Sequence, residues 1–134
     1  MDKLIKLIKK SRIVFVCGNG GSSSSAEHFV TDLVKKNIKA ICLSSNTSIM
    51  TMLANDFGYE QVFSKQLALY ADIRDLLITI SCSGTSPNIV SAIKYAKFKK
   101  IKVYEFETFI EQSKDYGLLE DKHLKFAHEV AKKL

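Results

Sequence analysis

The sequence predicts an α/β protein, a three-layer sandwich in which a parallel sheet is flanked by helices. Two observations carry this. Short, mostly apolar runs suited to strands of a covered sheet alternate with longer stretches of helical period. The first and third of those runs also end in glycine- or serine-rich turns that open a helix.

The first such run is Arg12–Cys17, which leads through Gly18–Ser22 into a helix over Ser23–Lys36 with Ala26, Phe29, Val30 and Leu33 on one side. Lys39–Leu43 reads as a second strand. Ser48–Ala54 and Gln61–Tyr70 read as helices separated by a turn at Asn55–Gly58. Leu76–Ile80 is a third strand, Asn88–Lys97 a helix with Pro87 at its start, Ile101–Phe106 a fourth strand and Leu119–Leu134 a closing helix. A short amphipathic helix precedes them at Met1–Lys10, and Glu107–Leu118 carries no clear pattern. At 134 residues with no internal repeat or linker, one domain over 1–134 is expected.

Composition narrows the function classes. With 46% hydrophobic and 25% charged residues the chain is globular in character, and no apolar run reaches the ~20 residues of a membrane span. The lysine-interrupted N-terminus lacks the form of a secretory signal. Three widely spaced cysteines (Cys17, Cys42 and Cys82) fit reduced thiols, so a cytoplasmic location is expected. The net charge of +6 suits an anionic ligand, but its lysines fall in pairs along helix faces without interleaved aromatics, and no nucleic-acid partner is expected.

The unusual residues lie in two loops, Gly18–Ser25 and Ser81–Pro87, each following a buried strand. In an open parallel sheet that end of the strands is where ligands bind. Glycines let the backbone approach a ligand, hydroxyls donate to phosphate oxygens, and a helix N-terminus favours an anion. Neither loop contains the GK[ST] of a P-loop, and Ser23 stands where GxGxxG needs its third glycine. A Ser/Gly run alone is as often a connector or a cap, but two at the ends of two buried strands point to a phosphate site. His28 and Asp32, four apart on a helix, share a face and suit zinc, although such pairs are also plain surface contacts.

Five motifs, in order from about Arg12 to Tyr104, resemble the SIS (sugar isomerase) domain family, and within it the bacterial phosphoheptose (sedoheptulose 7-phosphate) isomerases. They are Cys17–Ser22, Ala26–Phe29, Ala54–Tyr59, Val62–Gln66 and Ser81–Asn88. The resemblance implies an SIS-type, flavodoxin- or Rossmann-like sandwich that needs no nucleotide. It also implies a homo-oligomer and interconversion of a ketose and an aldose phosphate through an enediol. That chemistry requires a base, an acid and stabilisation of an oxyanion. Carried over by position, Asn19, Gly20, Ser22 and Asp56 would contact the sugar or order the loops, and Ser81, Cys82, Ser83 and Ser86 would grip the phosphate. Asp32, Glu120 and His128 would be catalytic. His28, Asp32, Glu120 and His128 would be the ligands of a zinc ion.

Relative to that family Asp32 is one methylene short, Cys82 replaces a threonine and Glu120 a glutamine. Glu120 and His128 are eight residues apart, about 12 Å along a helix. Asp56 reads equally well as a turn-forming residue, and His123 as a packing or surface residue. The chain is also short for the family between the fourth strand and the last helix. A second reading therefore stands beside the isomerase: an SIS protein that binds a phosphosugar, or serves a regulatory role, without turnover.

Overall fold

The computed structural model describes residues 1–106 and 115–134. Among these described residues four strands, β1 (Val14–Cys17), β2 (Ala40–Cys42), β3 (Leu76–Thr79) and β4 (Lys102–Glu105), form one parallel sheet in the order β2-β1-β3-β4. Six α-helices, again among the described residues, accompany them: α1 (Asp2–Lys10), α2 (Gly21–Lys35), α3 (Thr47–Phe57), α4 (Val62–Tyr70), α5 (Pro87–Phe98) and α6 (Tyr116–Lys132). A 3-10 turn, Tyr59–Gln61, joins α3 to α4. The expected three-layer α/β architecture is the observed one.

Alternation along the strands divides the core in two. Val14, Val16, Leu76 and Ile78 face α1, α2 and α6, packing with Leu4, Ile8, Phe29, Leu33, Ala127 and Val130. Phe15, Cys17 and Leu77 face the opposite layer, with Leu53, Phe63, Leu67, Ile89 and Ala92 from α3, α4 and α5. The inner strands β1 and β3 are buried at every position, as their unbroken apolar sequences require, whereas β2 and β4 form the edges and are partly exposed.

At the N-terminal ends of the inner strands the sheet is tied by a buried charge. Asp75 is fully buried and accepts hydrogen bonds from Arg12 Nε (3.0 Å) and Nη2 (2.6 Å) and from the backbone N–H groups of Ile13 (3.0 Å) and Asp72 (2.7 Å). Four donors on one carboxylate make its desolvation tolerable.

One boundary departs from the sequence reading. The turn expected at Asn55–Gly58 is the last turn of α3, which continues to Phe57 and stops at Gly58 with φ 87°. Asn55 and Asp56 tolerate the end of a helix, and the glycine terminates it with a backbone few other residues adopt. Asp56 is therefore helical, exposed, and accepts from Asn55 Nδ2 at 2.9 Å. Of the stretch left without assignment, 116–118 belong to α6, and 107–114 lie outside the described residues.

Candidate active site

Strand order decides where the two loops meet. The chain passes from β1 outward to β2, then returns to place β3 on the other side of β1, so the strand order reverses between β1 and β3 while the strands stay parallel. The loops leaving those strands diverge there and open a crevice, the expected ligand position in such a sheet. Gly18–Gly20 and Ile80–Ser86 flank it and lead into α2 and α5.

A small cavity of about 120 Å³ occupies the crevice. The β1 loop and the start of α2 contribute Asn19 and Ser22; the β3 loop contributes Ser81, Cys82, Ser83 and Ser86; α6 contributes Tyr116 and Glu120. The β3 loop is organised by its own hydroxyls. Ser81 Oγ accepts from the N–H of Gly84 at 3.0 Å, and Ser83 Oγ from that of Thr85 at 3.2 Å. Gly84 takes φ 65°, which closes the turn. Across the crevice Ser22 Oγ and Cys82 Sγ are 3.8 Å apart. Burial raises the Cys82 thiol above its ordinary pKa, the Ser22 hydrogen bond opposes the rise, and the Glu120 carboxylate adds to it.

Gly20 caps α2 with φ 55°, so its Cβ-free backbone turns the loop into the helix. The following residue, Gly21, receives the carboxylate of Glu120: a methyl group there would coincide with the carboxylate atoms. Glu120 thus lies against the N-terminal turn of α2, in the wall of the hydroxyl-lined cavity. A second, wider cavity of about 430 Å³, lined by Asn19, Tyr59, Glu60, Ser86, Pro87 and Asn88, shares Asn19 and Ser86 with the first.

The imidazole and carboxylate candidates assemble elsewhere on the same helices. Helices α2 and α6 pack against each other. His28 and Asp32 on α2 meet His128 on α6, with the three ligating atoms within 4.8 Å of one another. The two His Nε2 atoms are 3.0 Å apart, and Asp32 Oδ2 is 3.8 Å from His28 Nε2 and 3.7 Å from His128 Nε2. Two ligands on a tetrahedral zinc with bonds of 2.0–2.1 Å stand about 3.4 Å apart. The observed separations bracket that value, so the donor set fits a metal ion. Side-chain exposures of 52% for His28 and 41% for His128 leave the trio open on one side, as a site with a free coordination position requires.

Of the candidates, Asn19, Ser22, Ser81, Cys82, Ser83, Ser86 and Glu120 surround the small cavity, and His28, Asp32 and His128 form the trio. Glu120 belongs to the first group rather than the second, because it stands eight positions before His128 on α6. Asp56 faces solvent at the end of α3. His123 is buried and packs edge-on against Phe106, with ring centroids 5.9 Å apart.

The comparisons with known proteins bear on the whole arrangement. A family model described as SIS domain matches residues 1–106. The chain belongs to the SIS domain family. This SIS domain is 42% identical to a phosphoheptose isomerase of Helicobacter pylori (strain P12) over 100 residues, 70% of this chain and 52% of that protein. A phosphoheptose isomerase of Campylobacter concisus (strain 13826) is 32% identical over 142 aligned positions, 92% of this chain and 75% of that one. Among solved structures, the phosphoheptose isomerase of Neisseria gonorrhoeae superposes with a TM-score of 0.85 at 26% identity, covering 98% of this chain and 80% of that one. The chain thus spans about half the length of the H. pylori relative. The part that carries α6 and His128 lies beyond the family match and within the structural one.

Sequence reasoning missed Tyr59, Asn88 and Tyr116. Asn88 offered a signal, a polar residue directly after the proline that starts a helix. The tyrosines offered none, since nothing local indicates which way they point.

Proposed function

We propose that this SIS domain, as a single domain over 1–134, is an aldose–ketose isomerase of a phosphorylated sugar, with sedoheptulose 7-phosphate as substrate. The observation that carries the reading is the pairing of a hydroxyl-lined cavity at the start of α2 with a histidine–carboxylate trio further along α2 and α6. The offset between Glu120 and His128, about 12 Å along α6, supports a long substrate. With bonds of about 1.5 Å a seven-carbon chain extends roughly 8 Å, and the phosphate adds to that reach. A three-carbon sugar phosphate would leave its carbonyl far from the trio.

In the proposed reaction Ser81, Ser83, Ser86 and Ser22 hold the phosphate through hydroxyl and backbone donors beside the helix N-terminus. At the other end His128 Nε2 takes the proton from C1 of the ketose. The electron pair forms the C1–C2 double bond of the enediol, and the former carbonyl oxygen gains a proton. Return of a proton to C2, with loss of the C1 hydroxyl proton, gives the aldose. Asp32, 3.7 Å from His128, stabilises the imidazolium that forms. Zinc, held by His28, Asp32 and His128, would supply Lewis-acid polarisation of the carbonyl. One His128 nitrogen cannot hold a metal and a proton together, so zinc dependence separates its two roles.

The same reading expects a cytoplasmic protein. No helix among the described residues is long and apolar enough to cross a membrane. The reading also expects a homo-oligomer, whose neighbouring subunit would cover the open side of the trio.

The test is conversion of sedoheptulose 7-phosphate by the purified protein, followed by NMR with chelator and with added zinc. Aldose signals support the isomerase, and their growth with zinc assigns His128 to the metal, their loss to the proton. An unchanged ketose that still protects the protein against thermal unfolding would favour a phosphosugar-binding or regulatory protein instead.

A further inference from the structure

We propose that Asn19, Asn88 and Tyr59 form a clasp that fixes the gap between the two loops of the phosphate cavity, making Asn19 a positioning residue. The proposal rests on the reading of that cavity as a phosphosugar site.

Asn19 follows β1 and Asn88 opens α5, 69 residues later, and their side-chain amides pair in both directions. Asn19 Nδ2 donates to Asn88 Oδ1 at 2.9 Å, and Asn88 Nδ2 donates to Asn19 Oδ1 at 2.8 Å. The orientation is fixed independently, because the backbone N–H of Ile89 can only donate and lies 3.0 Å from Asn88 Oδ1. That oxygen is therefore correctly the acceptor, and Asn88 must turn its NH₂ toward Asn19. From the 3-10 turn between α3 and α4, the Tyr59 hydroxyl donates to Asn19 Oδ1 at 3.1 Å.

A side-chain amide offers two lone pairs and two N–H groups. Both lone pairs of Asn19 are occupied, by Asn88 and Tyr59, and one N–H is given to Asn88. At most one N–H is left for a ligand. Asn88 is 2% exposed, so its partner cannot readily be replaced by water. Asn19 also lines both the small and the wide cavity. The clasp thus forms the partition between them and holds the Ser22 side of the cradle at a set distance from Ser81–Ser86. Its effect on binding is preorganisation rather than a ligand contact.

The experiment is a double-mutant cycle read in the affinity for inorganic phosphate by calorimetry, using Asn19→Ala, Asn88→Ala and the pair. The clasp predicts that each single variant weakens phosphate binding about tenfold, a loss of one to two hydrogen bonds. The double variant should be no weaker than the singles, because either change already opens the clasp. Tyr59→Phe, at an exposed position safe for folding, should weaken binding about threefold in wild type and not at all in Asn19→Ala. Losses that multiply to about a hundredfold in the double variant would overturn the proposal and make Asn19 a direct ligand contact. If the wild type binds neither phosphate nor sedoheptulose 7-phosphate, the functional reading fails, and the same cycle in urea unfolding decides the clasp: coupled midpoints support it, additive ones refute it.

Discussion

Replacing Glu120 by glutamine should tighten anion binding in the small cavity. The carboxylate lies against Gly21 at the N-terminal turn of α2, where the helix dipole and free N–H groups would otherwise favour a bound anion. Among the described residues lining that cavity there is no lysine or arginine to offset it. A cavity of about 120 Å³ forces a phosphate close to the carboxylate. At a separation of about 5 Å, one unit of charge on each costs about 0.8 kcal/mol in bulk water and about 3.3 kcal/mol at an effective dielectric of 20. The site is partly exposed, so the lower half of that range applies, and affinity for inorganic phosphate should rise about tenfold in Glu120→Gln. Calorimetric titration at pH 7.5 and again at higher salt would read it, with the difference shrinking as salt screens the charge. An affinity that is unchanged, or that falls in the variant, would refute the placement and would mean that Glu120 accepts a hydrogen bond from the ligand.

Arg12→Met leaves the fully buried Asp75 carboxylate with backbone donors only and should lower the midpoint of urea unfolding, whereas an unchanged midpoint would show that the backbone donors suffice. Asp72 is held well below the usual carboxylate range, first by the side-chain hydrogen bond from Arg74, then by the Arg74 backbone N–H, with Arg12 adding a smaller part. Its folded value lies below its unfolded one, so its contribution is complete above about pH 4 and fades as pH falls. Asp72→Asn should therefore flatten the acid limb of a stability-against-pH curve. Zinc should bind the wild-type chain in a competition assay with a chelating dye, and Asp32→Ala or His28→Ala should weaken it at least tenfold. Equal zinc affinity in those variants would exclude the trio as the site.

Much of this molecule is legible in its sequence because burial and period coincide. Val14–Cys17 and Leu76–Thr79 are apolar at nearly every position, which only a central parallel strand with helices on both faces explains. The two serine-rich loops follow those same strands, so the place of the cradle could be read before its shape. The end of α3 could not, because Asn55 and Asp56 favour turns locally while the packing of Leu53 and the stop at Gly58 carry the helix through them. Long-range pairings were equally hidden. Arg12 reaches Asp75, Asn19 reaches Asn88, and His28 reaches His128 across 100 residues, and no local pattern encodes those partners. Glu120 shows the limit most clearly. The family resemblance grouped it with His128 although eight positions of one helix part them, and only the packing of α6 on α2 shows its carboxylate against Gly21 while His128 meets His28.

The most direct test of the central claim compares wild type with His128→Ala on sedoheptulose 7-phosphate, following turnover by NMR and binding by calorimetry on the same samples. Aldose should form with the wild type, and in the variant turnover should be lost with phosphosugar affinity kept within about threefold, because the cradle serines lie on the β3 loop and at the start of α2, away from the trio. Wild-type turnover by His128→Ala would contradict the catalytic role given to the trio.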